Sequence, residues 1–312
     1  MADLALAVDI GGTKLAVGLV TSEGSLVERS VVPTRSAGGM SAGDPDPGPA
    51  ERLWGDLEGL VSRVMSSSVR AGDRLIVCGV GCGGPMSPGG EYVSPLNIPA
   101  WRAFPLRASL AALTGLPTFV DNDAKALALG EGWVGAAAGC RDFLAMVVST
   151  GVGGGIVLDG RLLGGRLGNA GHVGHVVVVP DGRVCPCGGR GCLEAEASGT
   201  AIAAMTGQPA AKASEDVVER TGTLTGRAIA SVVNLLDLPL AVVSGSVALG
   251  FGEPFFQAAQ AEIDLRCGLE FARGARVEAG GLGDAGPLVG AARVGWTGLG
   301  LGPGLGPDAV AR

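Results

Sequence analysis

A glycine-rich turn between two apolar strands occurs twice in this chain, and this repeat is the feature that most constrains the fold. The first copy reads LALAVD, IGGTK and LAVGLV over residues 4–20. The second copy reads FLAMVVS, TGVGGG and IVL over residues 143–158. We interpret the repeat as an internal duplication in which each copy forms a β-hairpin with a glycine-rich tip.

Both turns have the composition of an anion-binding loop. A polar group closes the first strand of each copy, Asp9 in one and Ser149 with Thr150 in the other. The glycines that follow have no Cβ, so backbone N–H groups can approach an anion closely. Neither turn has the Walker pattern GxxxxGK[ST], and neither opens a helix as a dinucleotide-binding loop does. Each turn alone is equally well explained as a plain glycine hairpin, but the pair favours a nucleotide ligand.

Predicted strands and helices alternate along the rest of the chain, and this alternation is typical of an α/β fold. Buried strands are predicted at 75–80, 117–120 and 240–243, and helices at 53–65, 124–131, 202–204, 224–236 and 287–294. The glycine- and proline-rich segments 33–50 and 297–312 predict a mobile loop and a disordered tail. A length of 312 residues predicts two domains.

Composition argues against two classes of partner. The net charge is -7 and no Lys/Arg cluster is visible, whereas binding to a phosphate backbone needs a basic face. No apolar run is long enough to span a bilayer. The first residues, MADLALAVDIGG, contain neither a basic n-region nor a cleavage site, so we expect a cytoplasmic protein in a reducing compartment.

A predicted metal site combines one imidazole and three thiols within 18 residues, namely His175, Cys185, Cys187 and Cys192. Thiolate and imidazole are the ligands that zinc prefers, and four protein ligands leave no open position for water. The sequence therefore predicts a structural Zn²⁺ ion. The alternative is that these are ordinary buried thiols, as we expect for Cys78, Cys82, Cys140 and Cys267. A disulfide is disfavoured by the reducing compartment.

The segment GHVVVVPDGRVCPCGGRGCLE and the two hairpins together resemble the ROK family, named for repressors, open reading frames and sugar kinases. The motifs VDIGGTK, DNDAKALALGE and STGVGGGIV match as well, and the resemblance extends from Asp9 to about Val294. It implies an actin-like, hexokinase-type (ribonuclease H-like) α/β fold in which two domains close over a central cleft. The implied domains are residues 2–118 with the last helix at about 286–296, and residues 119–283 with the zinc-stapled loop.

The resemblance implies ATP-dependent phosphorylation of a hexose, glucose at O6 being the first candidate. A sugar hydroxyl is a poor nucleophile, so a carboxylate should orient it and accept its proton. The implied general base is Asp123 in the DND motif, rather than Asp121, and the amide of Asn122 would bind a sugar hydroxyl. Taken alone, DND would be explained more readily as a turn that caps a helix. The family likeness also implies a homodimer or a homotetramer.

Phosphoryl transfer depends mainly on positioning and charge neutralisation. The resemblance implies that Asp9 orients Mg²⁺ through water. The implied ATP contacts are Gly11, Gly12, Thr13, Lys14, Thr150, Gly151, Gly153 and Gly245. Lys14 is also compatible with a position facing solvent. The implied sugar contacts are Gly84, Asn97, Asn122, His172, His175 and Glu194.

The two histidines carry the main departure from the family pattern. The family commonly reads AGEIGH where this chain reads AGHVGH, so His172 replaces a glutamate that accepts hydrogen bonds from sugar hydroxyls. A neutral imidazole offers one acceptor instead of two carboxylate oxygens. His175 would bind zinc through one ring nitrogen and a sugar hydroxyl through the other. The substitution leaves kinase activity plausible and the preferred sugar open.

Three other functions compete with a glucokinase. One is a kinase for another hexose or for an N-acetylhexosamine such as N-acetylmannosamine, and polyphosphate could replace ATP as the donor. The second is a catalytically silent sugar-binding protein. The third is a repressor, which would carry a helix-turn-helix domain of several dozen residues ahead of the first hairpin. Eight residues precede Asp9, so we expect a kinase.

Overall fold

A computed structural model describes residues 2–34, 48–67 and 73–301 of the chain. The strands are β1 Asp3–Ile10, β2 Lys14–Thr21, β3 Leu26–Pro33, β4 Arg74–Cys82, β5 Thr118–Asn122, β6 Phe143–Val148, β7 Val152–Leu158, β8 Arg161–Leu162, β9 Leu240–Ser244 and β10 Arg276–Ala279. The helices are α1 Pro49–Ser67, α2 Leu106–Thr114, α3 Asp123–Val134, α4 Leu193–Ala197, α5 Gly199–Thr206, α6 Glu215–Leu236, α7 Ser246–Phe251, α8 Glu253–Arg266 and α9 Gly286–Gly298.

The described residues divide into two compact units. The first contains residues up to Gly130, the short segment Gly165–Asn169, and the chain from Asp284 onwards. The second contains Glu131–Gly164 and Ala170–Gly283. The division falls within α3, and the domain limits implied by the family likeness, 118 and 119, remain a prediction.

The first unit is built on a sheet of order β3-β2-β1-β4-β5, in which β1 pairs antiparallel with β2 and parallel with β4. The central strand β1 is apolar almost throughout because both faces are covered. Helix α9 lies directly on β4: a Cβ added to Gly79 would be 2.0 Å from the carbonyl oxygen of Ala291. Helix α1 contributes a buried stripe to the same core, consisting of Leu53, Leu57, Leu60, Val61 and Val64.

The second unit repeats this plan around a sheet of order β10-β9-β6-β7-β8. Its hairpin, β6 with β7, is antiparallel, and β9 and β10 continue the sheet in parallel with β6. Helices α6 and α8 pack closely because glycines face backbone: a Cβ at Gly226 would be 2.3 Å from the carbonyl oxygen of Ala259. The two glycine-tipped hairpins therefore occupy equivalent places in two sheets of the same order.

The predicted strands and helices are present, several with longer bounds, and some elements were not predicted. The predicted helix at 224–236 begins at Glu215, and α9 continues to Gly298. The glycine run TGVGGG is not all loop, because strand β7 already begins at Val152. Most of the predicted mobile loop and the tail from residue 302 lie outside the described residues. None of the helices described is both long and apolar enough to cross a membrane.

Candidate functional site

The turn of the first hairpin is held in a fixed shape by its neighbours. The N–H of Gly11 donates to the carbonyl oxygen of Lys14 at 3.0 Å, and the hydroxyl of Thr34 donates to the carbonyl oxygen of Gly11 at 2.7 Å. A Cβ at Gly12 would lie 2.7 Å from the Cβ of Asn97, so only glycine fits there. The predicted sugar residue Asn97 therefore lies against the predicted phosphate turn, whose Thr13 is exposed.

Three neighbouring strand ends form the floor of this site. Asp9, Gly81 and Asp121 are in register across β1, β4 and β5, so their side-chain positions share one face of the sheet. A Cβ at Gly81 would lie 3.7 Å from Oδ1 of Asp9 and 3.5 Å from the Cα of Asp123. Gly81 therefore leaves space between the two carboxylates. Gly81 was not among the predicted site residues, although a glycine run ending a buried strand is a usable signal.

The carboxylates of Asp9 and Asp123 interact electrostatically. Burial and the negative charge of Asp123 raise the pKa of Asp9, Lys14 and Arg29 offset part of the rise, and the net value is about 7. Burial and the same two carboxylates also raise the pKa of the Cys82 thiol well above its usual value. A buried acidic pair with oxygen ligands fits a hard divalent cation such as Mg²⁺, which would remove the repulsion.

The DND motif combines a helix cap, an ion pair and a carboxylate at a helix N-terminus. Oδ1 of Asn122 accepts the N–H of Ala124 at 3.1 Å, so the helix-cap interpretation holds for this residue. Oδ1 of Asp121 accepts the ammonium of Lys125 at 2.7 Å. The carboxylate of Asp123 lies at the first residue of α3 and is half-buried. A Cβ at Gly84 would lie 3.7 Å from Nδ2 of Asn122, so two predicted sugar residues adjoin.

The turn of the second hairpin, Ser149–Gly151, borders a cavity of about 640 Å³. Thr200 fixes the turn by donating its N–H and hydroxyl to the carbonyl oxygen of Thr150 at 3.2 and 2.9 Å. Among the described residues, the cavity wall carries no charged side chain, and it consists of Thr150, Gly199, Thr200, Ala203, Gly207, Gln208, Pro209, Ala210, Ala211, Ser246 and Val247. Its size and neutral, mostly small lining fit a nucleoside.

Two predicted ATP residues in this unit lie outside the turn, and one of them, Gly245, occupies a position that only glycine fits. Gly245 has φ 101°, and a Cβ there would be 2.4 Å from the carbonyl oxygen of Val148. It joins β9 to α7 beside the cavity residue Ser246. Gly153, predicted in the loop, lies inside β7, because the ladder with β6 begins at Val152. Gly151 remains in the turn.

The segment that carries both histidines lies directly on the glycine-rich strand β7. A Cβ at Gly174 would be 2.3 Å from the carbonyl oxygen of Val152, and one at Gly171 would be 2.7 Å from that of Gly154. Glycines on both segments thus allow backbone-to-backbone contact. The rings of His172 and His175 are 6.2 Å apart between centroids.

Glu194 is held at the same hairpin. Its Oε2 accepts the N–H of Val152 at 3.0 Å, and a Cβ on Gly151 would meet the same oxygen at 3.0 Å. The predicted sugar residues His172, His175 and Glu194 are therefore gathered around the start of β7.

The four predicted metal ligands converge. One ligand atom from each of His175, Cys185, Cys187 and Cys192 lies within 4.8 Å of the others. Sγ of Cys187 and Sγ of Cys192 are 3.8 Å apart, and Nδ1 of His175 is 3.7 Å from Sγ of Cys185. Zinc–sulfur bonds of about 2.3 Å in a tetrahedron give a sulfur–sulfur distance of about 3.8 Å. The set fits a tetrahedral metal ion, and the sulfur–sulfur distance is far too long for a disulfide.

A buried carboxylate that the sequence analysis missed holds the metal loop to the rest of the second unit. Glu196 accepts the N–H of Arg183 at 2.7 Å and the guanidinium of Arg220 at 2.5 Å. Burial raises the pKa of Glu196, but these bonds outweigh burial, and the net pKa is lower than usual. Its only sequence signal was an acidic residue two positions after Glu194.

The fold of the chain is similar to that of solved ROK family kinases. The structure matches a ROK family glucokinase from Streptomyces griseus in complex with glucose and AMPPNP, with a TM-score of 0.78, 30% identity, and coverage of 94% of this chain and 99% of that chain. It matches a ROK hexokinase from Thermus thermophilus with a TM-score of 0.78 and 33% identity, covering 95% and 99% of the two chains. The predicted fold class is confirmed.

Sequence comparisons identify the family. The ROK family model matches residues 5–295, and the chain belongs to the ROK family. A glucokinase of Halalkalibacterium halodurans is 35% identical over 239 residues, which are 74% of this chain and 68% of the relative. An N-acetylmannosamine kinase of Citrobacter koseri is 37% identical over 263 residues, which are 79% and 84% of the two. The prediction of a sugar kinase is confirmed by these relatives.

Proposed function

We propose that this ROK sugar kinase transfers the γ-phosphoryl group of ATP to a hexose, with glucose at O6 as the first candidate and Asp123 as the general base. The observation that carries the proposal is the pair of carboxylates, Asp9 and Asp123, on either side of Gly81 beside a glycine turn. This arrangement offers a proton acceptor and a cation-binding group next to backbone donors, which are the parts that phosphoryl transfer requires.

Asp123, and not Asp121, is assigned as the base because the two carboxylates have different partners. Asp121 is ion-paired with Lys125 at 2.7 Å, so one of its oxygens is already engaged. Asp123 is half-buried at the helix N-terminus and faces the acidic partner Asp9. The sugar hydroxyl donates its proton to Asp123 as its oxygen bonds to phosphorus, and ADP leaves.

ATP would use the two glycine turns and the cavity of the second unit. Backbone groups of Gly11, Gly12 and Thr13 would bind phosphate oxygens, with Lys14 as an additional cation, and Asp9 would hold Mg²⁺ through water. Bound Mg²⁺ supplies charge neutralisation on the phosphates. Thr150 and Gly151 would take phosphate oxygens in the second unit, and the nucleoside would occupy the cavity beside Gly245. Gly153 contributes through backbone, since it lies within β7.

The sugar would be bound by Gly84, Asn97, Asn122, His172, His175 and Glu194. Nδ1 of His175 faces the thiols, so Nε2 is available to a sugar hydroxyl. We infer that the metal is Zn²⁺ and that its role is structural, because four protein ligands close the coordination shell. A homodimer or homotetramer in the cytoplasm remains a prediction.

A specific observation keeps N-acetylmannosamine and other hexoses as second candidates. His172 stands where the family commonly has a glutamate, and one neutral ring nitrogen cannot accept the two hydroxyl hydrogen bonds that a carboxylate accepts. A sugar that carries a different substituent beside His172 would lose fewer hydrogen bonds through this substitution.

The test is a coupled assay of ADP release with glucose, mannose, fructose, N-acetylglucosamine and N-acetylmannosamine, each with ATP and Mg²⁺. A sugar-free reaction is the control for ATP hydrolysis, and sugar phosphate formation is measured separately with polyphosphate as donor. We expect one hexose to exceed the others in kcat/KM by at least about tenfold. Absence of sugar-dependent ADP release with all five sugars would overturn the proposal and favour a silent sugar-binding protein.

A further inference from the structure

Lys125 is a buried lysine next to the DND motif, with its side chain 5% exposed. Its ammonium donates to Oδ1 of Asp121 at 2.7 Å and to the carbonyl oxygen of Gly168 at 3.0 Å. Burial of an ammonium group is costly unless it is paired and hydrogen-bonded. The two bonds together compensate the burial of the ammonium group, and the second one reaches a residue 43 positions away in the chain.

The partner of Lys125 belongs to a small closed loop, residues 164–170. The N–H of Ala170 donates to the carbonyl oxygen of Gly164 at 3.0 Å, and the N–H of Gly168 donates to that of Gly165 at 3.4 Å. Gly168 has φ 81°, a left-handed backbone conformation that favours glycine. Leu167 at the tip of the loop is 49% exposed.

This loop is also one of the places at which the chain passes between the two units. Gly165–Asn169 groups with the first unit, whereas the chain on either side of it groups with the second. His172 follows the loop by two residues, and the backbone that links them begins at Ala170. A fixed loop end thus restricts the conformations that the histidine segment can adopt.

We propose that Lys125 is a positioning residue for the sugar: its bond to Gly168 fixes loop 164–170 and thereby the segment that carries His172 and His175. The proposal rests on the proposed function, in which both histidines contact the sugar. Because the loop is ordered before the sugar binds, the free energy of sugar binding does not include the entropy loss of ordering the loop. Loss of the bond should raise the KM for the sugar more than it lowers kcat.

A simpler role would be charge compensation of Asp121, and a pair of variants separates the two. Lys125→Met removes both hydrogen bonds and leaves a carboxylate without its cation. The double variant Asp121→Asn with Lys125→Met removes the charge as well, so it retains folding if the single variant does not. Asp121→Asn alone is the matched control. It keeps the ammonium of Lys125 and replaces the carboxylate with an amide oxygen that can accept its hydrogen bond.

The measurements are kcat and KM for the best sugar and for ATP, together with hydrogen exchange at the Ala170 N–H. We expect the double variant to raise the sugar KM by about tenfold, with the ATP KM unchanged within about twofold, because one charge-assisted hydrogen bond is lost. Exchange at Ala170 should be faster by a similar factor. The control should retain the wild-type sugar KM.

A double variant with the wild-type sugar KM and wild-type exchange at Ala170 would overturn the proposal, because charge compensation alone would then explain Lys125. Failure of the proposed function gives a different result. In that case the wild type phosphorylates no sugar, and exchange at Ala170 still reports whether Lys125 fixes the loop.

Discussion

Nδ1 of His175 lies 3.7 Å from Sγ of Cys185, and the imidazole thus faces the thiol cluster with one specific ring nitrogen. The same histidine ends a segment whose backbone is in direct contact with strand β7. A metal ion bound to Nδ1 would fix both the ring orientation and the tautomer, leaving Nε2–H as a donor. The metal loop is therefore directly coupled to the histidine segment that is proposed to bind the sugar.

Removal of one thiol ligand tests this coupling. Cys187 is the exposed member of the set, so Cys187→Ser leaves the apolar core intact. We expect loss of bound zinc, a Tm lower by about 5–10 °C, and a sugar KM raised more than the ATP KM. The measurements are zinc content by mass spectrometry, thermal unfolding and steady-state kinetics.

Cys140→Ser is the control for this variant. Cys140 is a half-buried thiol outside the cluster that donates to the carbonyl oxygen of Asp142, a bond that a serine hydroxyl can replace. It should retain zinc and wild-type KM values. A Cys187→Ser protein that is free of zinc and yet has wild-type stability and sugar KM would contradict the coupling.

The raised pKa of Asp9 predicts a pH dependence of stability. The folded chain keeps the Asp9 proton up to about pH 7, whereas the unfolded chain loses it near its ordinary value of 3.8. The folded state thus binds more protons between these pH values, and the contribution of Asp9 to the free energy of unfolding falls as pH rises through this window. The fall is about 4 kcal/mol at most.

Asp9→Asn should abolish this pH dependence. Urea unfolding of both proteins between pH 4.5 and 8, without nucleotide or Mg²⁺, measures the difference in the free energy of unfolding. We expect the variant to gain stability relative to the wild type as pH rises. A difference that is constant with pH would show that the folded state does not raise the pKa of Asp9.

The features that the sequence predicted are those with local signals. The two hairpins follow from apolar runs interrupted by glycines, and the metal set follows from cysteine spacing. The DND motif is placed at a strand end because a buried strand precedes it and a helix follows it. In each case the relevant neighbours in space are also neighbours in the chain.

The features that the sequence missed depend on contacts distant in the chain. Helix α8 was not predicted because only a few of its positions are buried and apolar, and it packs through glycines of α6 such as Gly222. Strand β3 alternates between half-buried and exposed residues at a sheet edge, within a segment that includes charged residues. The buried Lys125 donates to the carbonyl oxygen of Gly168, which is 43 residues away.

The close approach of Gly245 to β6 predicts a large effect of one methyl group. Gly245→Ala would meet the carbonyl oxygen of Val148 at 2.4 Å and also keep an unfavourable φ of 101°. We expect a loss of about 2 kcal/mol or more in the free energy of unfolding, measured in urea, and weaker ATP binding.

Gly250→Ala is the matched control because it lies in the following helix, α7, with no atom within 4 Å of its added Cβ. It should stabilise the protein by up to about 1 kcal/mol. Equal effects of the two substitutions would mean that the contact with Val148 is relaxed without cost.

The assignment of the base to Asp123 predicts a separation of chemistry from binding. Asn keeps the size and an oxygen that accepts the N–H of Ala124, but it cannot take up a proton from a sugar hydroxyl. Asp123→Asn should lower kcat by about 10²–10⁴-fold while the dissociation constant for the sugar, measured by calorimetry, changes little. The removal of one negative charge should also lower the pKa of Asp9, because the charge of Asp123 is one of the causes that raise it. A variant that retains near wild-type kcat would show that the proton leaves by another route, and Asp121, paired with Lys125 at 2.7 Å, would then have to be tested next.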